Sequence, residues 1–135
     1  MKISKVMTTD VEVARPDDSI QSVAKRMAEG DFGFMPVADD EKLLGAITDR
    51  DLATRALARG LPPSTAVSEV MTRDMECAYE DDSLTEVLDN MGSKQIRRMP
   101  VVDRKGRLCG VVSLGDLSTK VKEQAAGETL EDISR

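Results

Sequence analysis

Thr48-Asp49-Arg50-Asp51 and Ser113-Leu114-Gly115-Asp116 each set a hydroxyl three residues ahead of a carboxylate. Each motif follows an apolar run led by glycine, Gly45-Ala46-Ile47 in one case and Gly110-Val111-Val112 in the other. Each also precedes residues at helical spacing, so both sit where a strand gives way to a helix. A helix start presents unpaired N–H groups and a partial positive charge, which suits phosphate. A carboxylate there can accept hydrogen bonds from both hydroxyls of a ribose, and the Thr or Ser hydroxyl can bond phosphate. The same spacing makes a capping box, in which the acid and the hydroxyl satisfy the first helical turn. Spacing alone leaves both readings open, and they can coexist at Thr48 and Ser113.

Arg97 and Arg98 stand before Met99-Pro100-Val101 and supply planar forks of donors suited to phosphate; a solvated or salt-bridged pair is the other reading. Arg50 lies inside the first motif, where the second has Gly115. The positions matching Arg97 and Arg98 are Gly33 and Phe34, so positive charge is shared unevenly between the motifs.

These correspondences come from an internal duplication. Val6-Met7-Thr8 returns as Val70-Met71-Thr72, Asp17-Asp18-Ser19 as Asp81-Asp82-Ser83, and Met35-Pro36-Val37 as Met99-Pro100-Val101, all displaced by 64 residues. One inserted residue beside Gly106 then gives a displacement of 65, at which Thr48 and Asp51 fall on Ser113 and Asp116. In the first copy the pattern predicts a strand over 11–13, a helix whose N-cap is offered by Asp17-Asp18-Ser19 and which Gly30 stops, strands over 34–38 and 43–48, and a helix over 50–59. In the second it predicts strands over 75–78, 98–102 and 108–113 and helices over 84–94 and 116–124, with a left-handed turn at Gly106. The order β-α-β-β-α, twice, is an α/β (α+β) fold. Gly60-Leu61-Pro62-Pro63 marks the join, giving domains at 1–62 and 63–124 and a polar tail at 125–135 with a weak helical pattern in Leu130 and Ile133. Copies of about 60 residues bury little surface alone, so the two are expected to pack on each other.

Composition removes whole classes of function. The chain has 135 residues and a net charge of −6, against the basic surface a general nucleic-acid binder needs. It has no His, which takes away Ser-His-Asp and Cys-His catalysis, and it has no Gly-x-x-x-x-Gly-Lys loop. A non-enzyme is expected. Cys77 and Cys109 form no Cys-x-x-Cys pair, so zinc is not expected and two buried, reduced thiols are. No apolar leader and no run of the roughly 20 residues that would cross a bilayer is visible, and the expectation is a cytoplasmic protein without membrane contacts.

The element order, the hydrophobic-Pro-Val strand and the Gly-led strand ending in Thr/Ser-x-x-Asp together resemble the CBS domain, twice over residues 3–122. That domain is named for cystathionine β-synthase and occurs in inosine monophosphate dehydrogenase and the γ subunit of AMP-activated kinase. Ile47-Thr48-Asp49-Arg50-Asp51-Leu52 and Gly60-Leu61-Pro62 look especially like stand-alone bacterial CBS-pair proteins, including mycobacterial hypoxic-response proteins. The resemblance implies two domains packed with pseudo-two-fold symmetry, clefts that bind AMP, ADP or ATP as a regulatory ligand with no required cofactor, a homodimer, and a separate effector protein. It gives Thr48 and Ser113 a phosphate or ribose role, Asp51 and Asp116 the ribose hydroxyls, and Arg98 with Arg97 the phosphate. It places adenine among Val11, Val13, Phe34, Met35 and Pro36 in one copy and Cys77, Ile96, Met99 and Pro100 in the other; core packing is the competing role for Val13, Met35 and Met99. A structural protein that acts through dimerisation, its clefts vestigial, is the alternative.

Overall fold

Of the Asp17-Asp18-Ser19 run that offers an N-cap, Ser19 fills the position: its Oγ accepts the Ser22 N–H at 3.1 Å and caps α1, Ile20–Gly30. The computed structural model describes residues 1–134, with side chains as far as Gly127. The helix buries Ile20, Val23 and Met27, spaced three and four apart, each worth about 1.5–3 kcal/mol when removed from water. It ends at Asp31, which takes the left-handed conformation (φ 55°), one residue beyond the glycine expected to stop it.

The chain then forms a hairpin of β1 (Phe34–Asp39) and β2 (Lys42–Thr48), paired antiparallel from Phe34↔Thr48 to Asp39↔Lys42. Pro36 costs this strand no ladder bond. Its carbonyl accepts the Ala14 N–H on the outer side, and the next donor on that side is Ala38. The strand expected over 11–13 is not formed; a single parallel bridge, Ala14↔Val37, stands in its place. After β2 come a single turn, α2 (Asp49–Asp51), and a π-helical stretch over Leu52–Leu57 where a regular helix over 50–59 was expected. Pro62 and Pro63 follow and cannot prolong it.

The second copy forms β3 (Ala78–Tyr79), α3 (Leu84–Lys94), β4 (Arg98–Val102), β5 (Leu108–Ser113) and α4 (Leu114–Ser134). Its sheet has the order β3-β4-β5, with β3 parallel to β4. β3 begins only at Ala78, so 75–77 lie outside the strand expected there. α4 runs ten residues past the expected end at Gln124 and takes the backbone of the polar tail into the helix. The side chains of Leu130 and Ile133, and Arg135 as a whole, lie outside the described residues.

Packing divides the chain into two compact units that exchange their leading segments. One, the first-repeat unit, is Asp10–Glu76 with Lys105–Leu108; the other, the second-repeat unit, is Met1–Thr9 with Cys77–Arg104 and the chain from Cys109 onward. Thus residues 1–9, which open the first repeat, belong to the core of the second. In that core Ile3 is fully buried with Leu84, Met91, Met99 and Leu117. Val67, at the matching place, is fully buried with Val23, Met27, Met35 and Ile47 in the first-repeat unit.

The two docked segments match bond for bond. Ile3 N–H donates to Asp82 O, and Leu84 N–H to Met1 O, at 3.0 and 2.9 Å. Val67 N–H donates to Asp18 O and Ile20 N–H to Thr65 O at 2.8 and 2.9 Å. Further along, Thr8 and Val111 exchange both backbone bonds, as do Thr72 and Ala46. Glycine makes the second contact possible. A Cβ on Gly45 would stand 2.5 Å from Thr72 O, and one on Gly110 2.6 Å from Thr8 O.

Candidate functional site

The two motifs named from sequence occupy the turns from β2 into α2 and from β5 into α4, and they differ in state. At the first, Thr48 Oγ1 accepts the Asp51 N–H and Asp51 Oδ2 accepts the Thr48 N–H, both at 3.1 Å: a closed capping box. Asp51 also faces Arg55 Nε at 3.8 Å, and its side chain is 16% exposed. At the second, Ser113 Oγ accepts the Asp116 N–H at 3.1 Å, but the Asp116 carboxylate is exposed and has no partner among the described residues. The capping reading therefore describes the first motif in full and the second only in its hydroxyl.

The strand entering each hairpin brings its leading residues to the helix start through one backbone bond. Asp49 N–H donates to Gly33 O at 3.0 Å, and Leu114 N–H donates to Arg97 O at 2.8 Å. Arg97, Ser113 and Asp116 are thereby gathered on one unit, with Arg98 next along β4. Both arginines are exposed and neither has an ion-pair partner among the described residues. Arg50 is likewise exposed and without an ion pair there.

Of the residues named for an adenine slot, Met35 and Met99 are enclosed in the two cores and Pro36 and Pro100 are buried. Val11, Val13, Phe34 and Ile96 are half-buried. Cys77 is exposed, which corrects the expectation of two buried thiols; it lies ahead of β3, outside the core that Ala78 enters. Cys109 is half-buried and donates from Sγ to Glu80 Oε2 at 3.4 Å; neither cysteine is in a disulfide.

The sequence missed a groove in the first-repeat unit. A cavity of about 730 Å³ lies between α1 and the α2–π segment, lined by Ala24, Met27, Ala28, Phe32, Ala53 and Leu57 among others. Asp31, Gly33 and Asp49 also line it, and Leu57 is 78% exposed. Of the two motifs only Asp49 lines it; Thr48, Arg50, Asp51, Ser113 and Asp116 do not. The available signal was the run of exposed alanines on α1 and after Leu52, which reads as good helix formers rather than as a surface. No helix among the described residues is long and apolar enough to cross a membrane.

Comparison with known proteins agrees with the geometry. The CBS domain family model matches twice, at residues 3–58 and 67–123. The chain is 40% identical to the uncharacterized protein YlbB of Bacillus subtilis over 98% of its own length and 91% of that protein's. It is 35% identical to hypoxic response protein 1 of Mycobacterium tuberculosis, covering 89% of this chain and 85% of the relative. A crystal structure of a hypoxic response protein with two coordinated zinc ions superposes with a TM-score of 0.79 at 30% identity, covering 88% of this chain and 98% of that one. The CBS domain pair of protein MJ0100, in complex with 5-methylthioadenosine and S-adenosyl-L-methionine, superposes with a TM-score of 0.77 at 29% identity, over 92% and 98% of the two chains. The zinc belongs to that relative. This chain has no His, and among the described residues no three of Cys, Asp and Glu are grouped for a metal. With its two family matches, duplicated helix starts and two small α/β units, the chain belongs to the CBS domain family as a tandem pair.

Proposed function

We propose that the protein is a regulatory, non-catalytic module that binds an adenosine nucleotide (AMP, ADP or ATP) at its helix starts and passes occupancy to a separate effector protein. The observation that carries this reading is the turn from β5 into α4. There an uncommitted Asp116 carboxylate and the Ser113 hydroxyl share one corner of the fold with the backbone of Arg97, whose exposed side chain leaves from beside them. The carboxylate suits two ribose hydroxyls, and Arg97 with Arg98 suits a phosphate. The adenosyl ligands of the MJ0100 domain pair support the same class of ligand here. Adenine would lie against the half-buried Ile96 and the exposed Cys77 in the second repeat and against Val11, Val13 and Phe34 in the first. Ligand then acts by stabilising one of two arrangements that a partner protein distinguishes.

A homodimer is part of this reading. The groove beside α1 carries both a projecting Leu57 and a floor of small residues, Ala24, Ala28 and Ala53, so a two-fold copy offers each surface what it lacks.

Calorimetric titration with AMP, ADP and ATP tests the nucleotide reading. Asp116→Ala should weaken binding by about 1–3 kcal/mol, the size of lost hydrogen bonds to a charged group. Heat-silent titrations with every adenosyl compound would leave the protein an interaction module acting through dimerisation alone. The closed capping box of the first repeat favours that second reading for its own half.

A further inference from the structure

We propose that the two repeats have divided adenosyl ligands by charge: the second repeat's helix start accepts the phosphate, and Asp49 makes the first repeat's start refuse it. The inference rests on the nucleotide reading above and names what sets specificity within it.

Three observations converge on Asp49. First, the N–H groups of the turn are committed. Thr48 N–H donates to Asp51 Oδ2, Asp49 N–H to Gly33 O, Arg50 N–H to Asp49 Oδ1 at 2.8 Å, and Asp51 N–H to Thr48 Oγ1. Four consecutive donors that could have cradled an anion already have acceptors, and two of those acceptors are carboxylates. At the second repeat no side chain among the described residues takes the Gly115 N–H, and Leu114 stands where Asp49 stands.

Second, the Asp49 carboxylate lies against Gly33: a Cβ built on that glycine would meet Oδ2 at 2.6 Å and Oδ1 at 3.0 Å. Gly33 is the counterpart of Arg97. The first repeat thus lacks the cation and has a carboxylate pressed over the place from which its side chain would leave. Third, the charges are opposite. Gly33, Phe34 and residues 48–51 carry two carboxylates and one guanidinium; Arg97, Arg98 and residues 113–116 carry two guanidiniums and one carboxylate. A phosphate brought to the first start meets Asp49 and Asp51 at a few ångströms, where like charges cost more than any hydrogen bond left to offer. A neutral or cationic adenosyl compound meets no such repulsion. The first repeat is therefore matched to adenosine, a thioether nucleoside or a sulfonium, and the second to a nucleotide.

Titration of the full-length protein with AMP, adenosine and S-adenosylmethionine separates the outcomes. The expected result for the unaltered chain is one AMP per chain. In R97G/R98F the preference for AMP over adenosine should fall about ten-fold or more, 1.4 kcal/mol for each factor of ten. G33R/D49L, which installs the second repeat's pair in the first, should raise the stoichiometry to two AMP per chain. D49N is nearly isosteric and guards against a misfolded double variant: it should bring in weaker second-site AMP binding with an unchanged melting temperature. An unaltered AMP-to-adenosine ratio in R97G/R98F, or one AMP per chain in both Asp49 variants, overturns the charge division while leaving nucleotide binding intact. Silence of the unaltered protein toward all three compounds removes both readings together.

Discussion

The two repeats agree where backbone meets backbone and disagree where side chains carry charge. Their leading segments dock through the same bonds at positions 64 or 65 residues apart, down to a glycine beneath a threonine carbonyl. Their helix starts share a hydroxyl and an acid, yet one is closed by a capping box and a second carboxylate and the other is open beside two arginines. The helices that follow also part: a single α-turn and a π stretch in one, 21 residues of α-helix in the other. The difference shows which constraints a duplication keeps. A backbone-to-backbone contact within van der Waals reach of a glycine tolerates no drift, whereas a surface side chain can change sign without disturbing the core.

The exchange of leading segments can be broken most forcefully at Ile3. This residue is fully buried among Leu84, Met91 and Met99, although it opens the chain. Ile3→Ala should cost about 2–5 kcal/mol, and hydrogen exchange should localise the loosening to α3, β4 and β5. Loosening of α1 and the β1–β2 hairpin instead would show that residues 1–9 had been assigned to the wrong unit.

A smaller effect sharpens the likeness of the two dockings. Gly45→Ala and Gly110→Ala each place a methyl group within 2.6 Å of a carbonyl oxygen, so each should cost about 1–3 kcal/mol by urea denaturation. Because the geometry is the same, the two costs should agree within about 0.5 kcal/mol. A neutral substitution at one of them would mean that the paired segments are held by different forces.

What could be read from the sequence follows the same division. Strong local patterns gave α3, β4 and β5 with the bounds observed, and the Asp17-Asp18-Ser19 run gave the start of α1. α1 ends at Gly30 as the sequence indicates, but the left-handed residue that follows it is Asp31, and α3 is followed by a left-handed Gln95 that residue type did not mark. Val11 and Val13 alternate like a strand, but three residues carry too little pattern, and only Ala14 found a partner. The duplicated Val-Met-Thr was plain in the sequence; which repeat it would dock on was not, since that depends on partners distant in sequence, such as Val111 for Thr8 and Ala46 for Thr72. At the site, Thr-x-x-Asp and Ser-x-x-Asp looked alike because the feature that separates them is Asp49 over Gly33, a contact between residues 16 apart in sequence.

The two caps give the smallest and most direct measure of that separation. Thr48→Ala removes the acceptor for the Asp51 N–H and lets go the carboxylate that in turn holds the Thr48 N–H, so two donors lose their ordered partners. Ser113→Ala removes one acceptor from a turn whose carboxylate was already free. Both costs should fall within the 0.5–2 kcal/mol typical of an N-cap, with Thr48→Ala near the upper end and Ser113→Ala near the lower. Urea midpoints of the two variants at neutral pH report the difference. Equal costs would mean that the Asp51 carboxylate contributes nothing to its box and is as free as Asp116 to meet a ligand, which would erase the asymmetry between the two helix starts. A larger cost at Ser113 would reverse it.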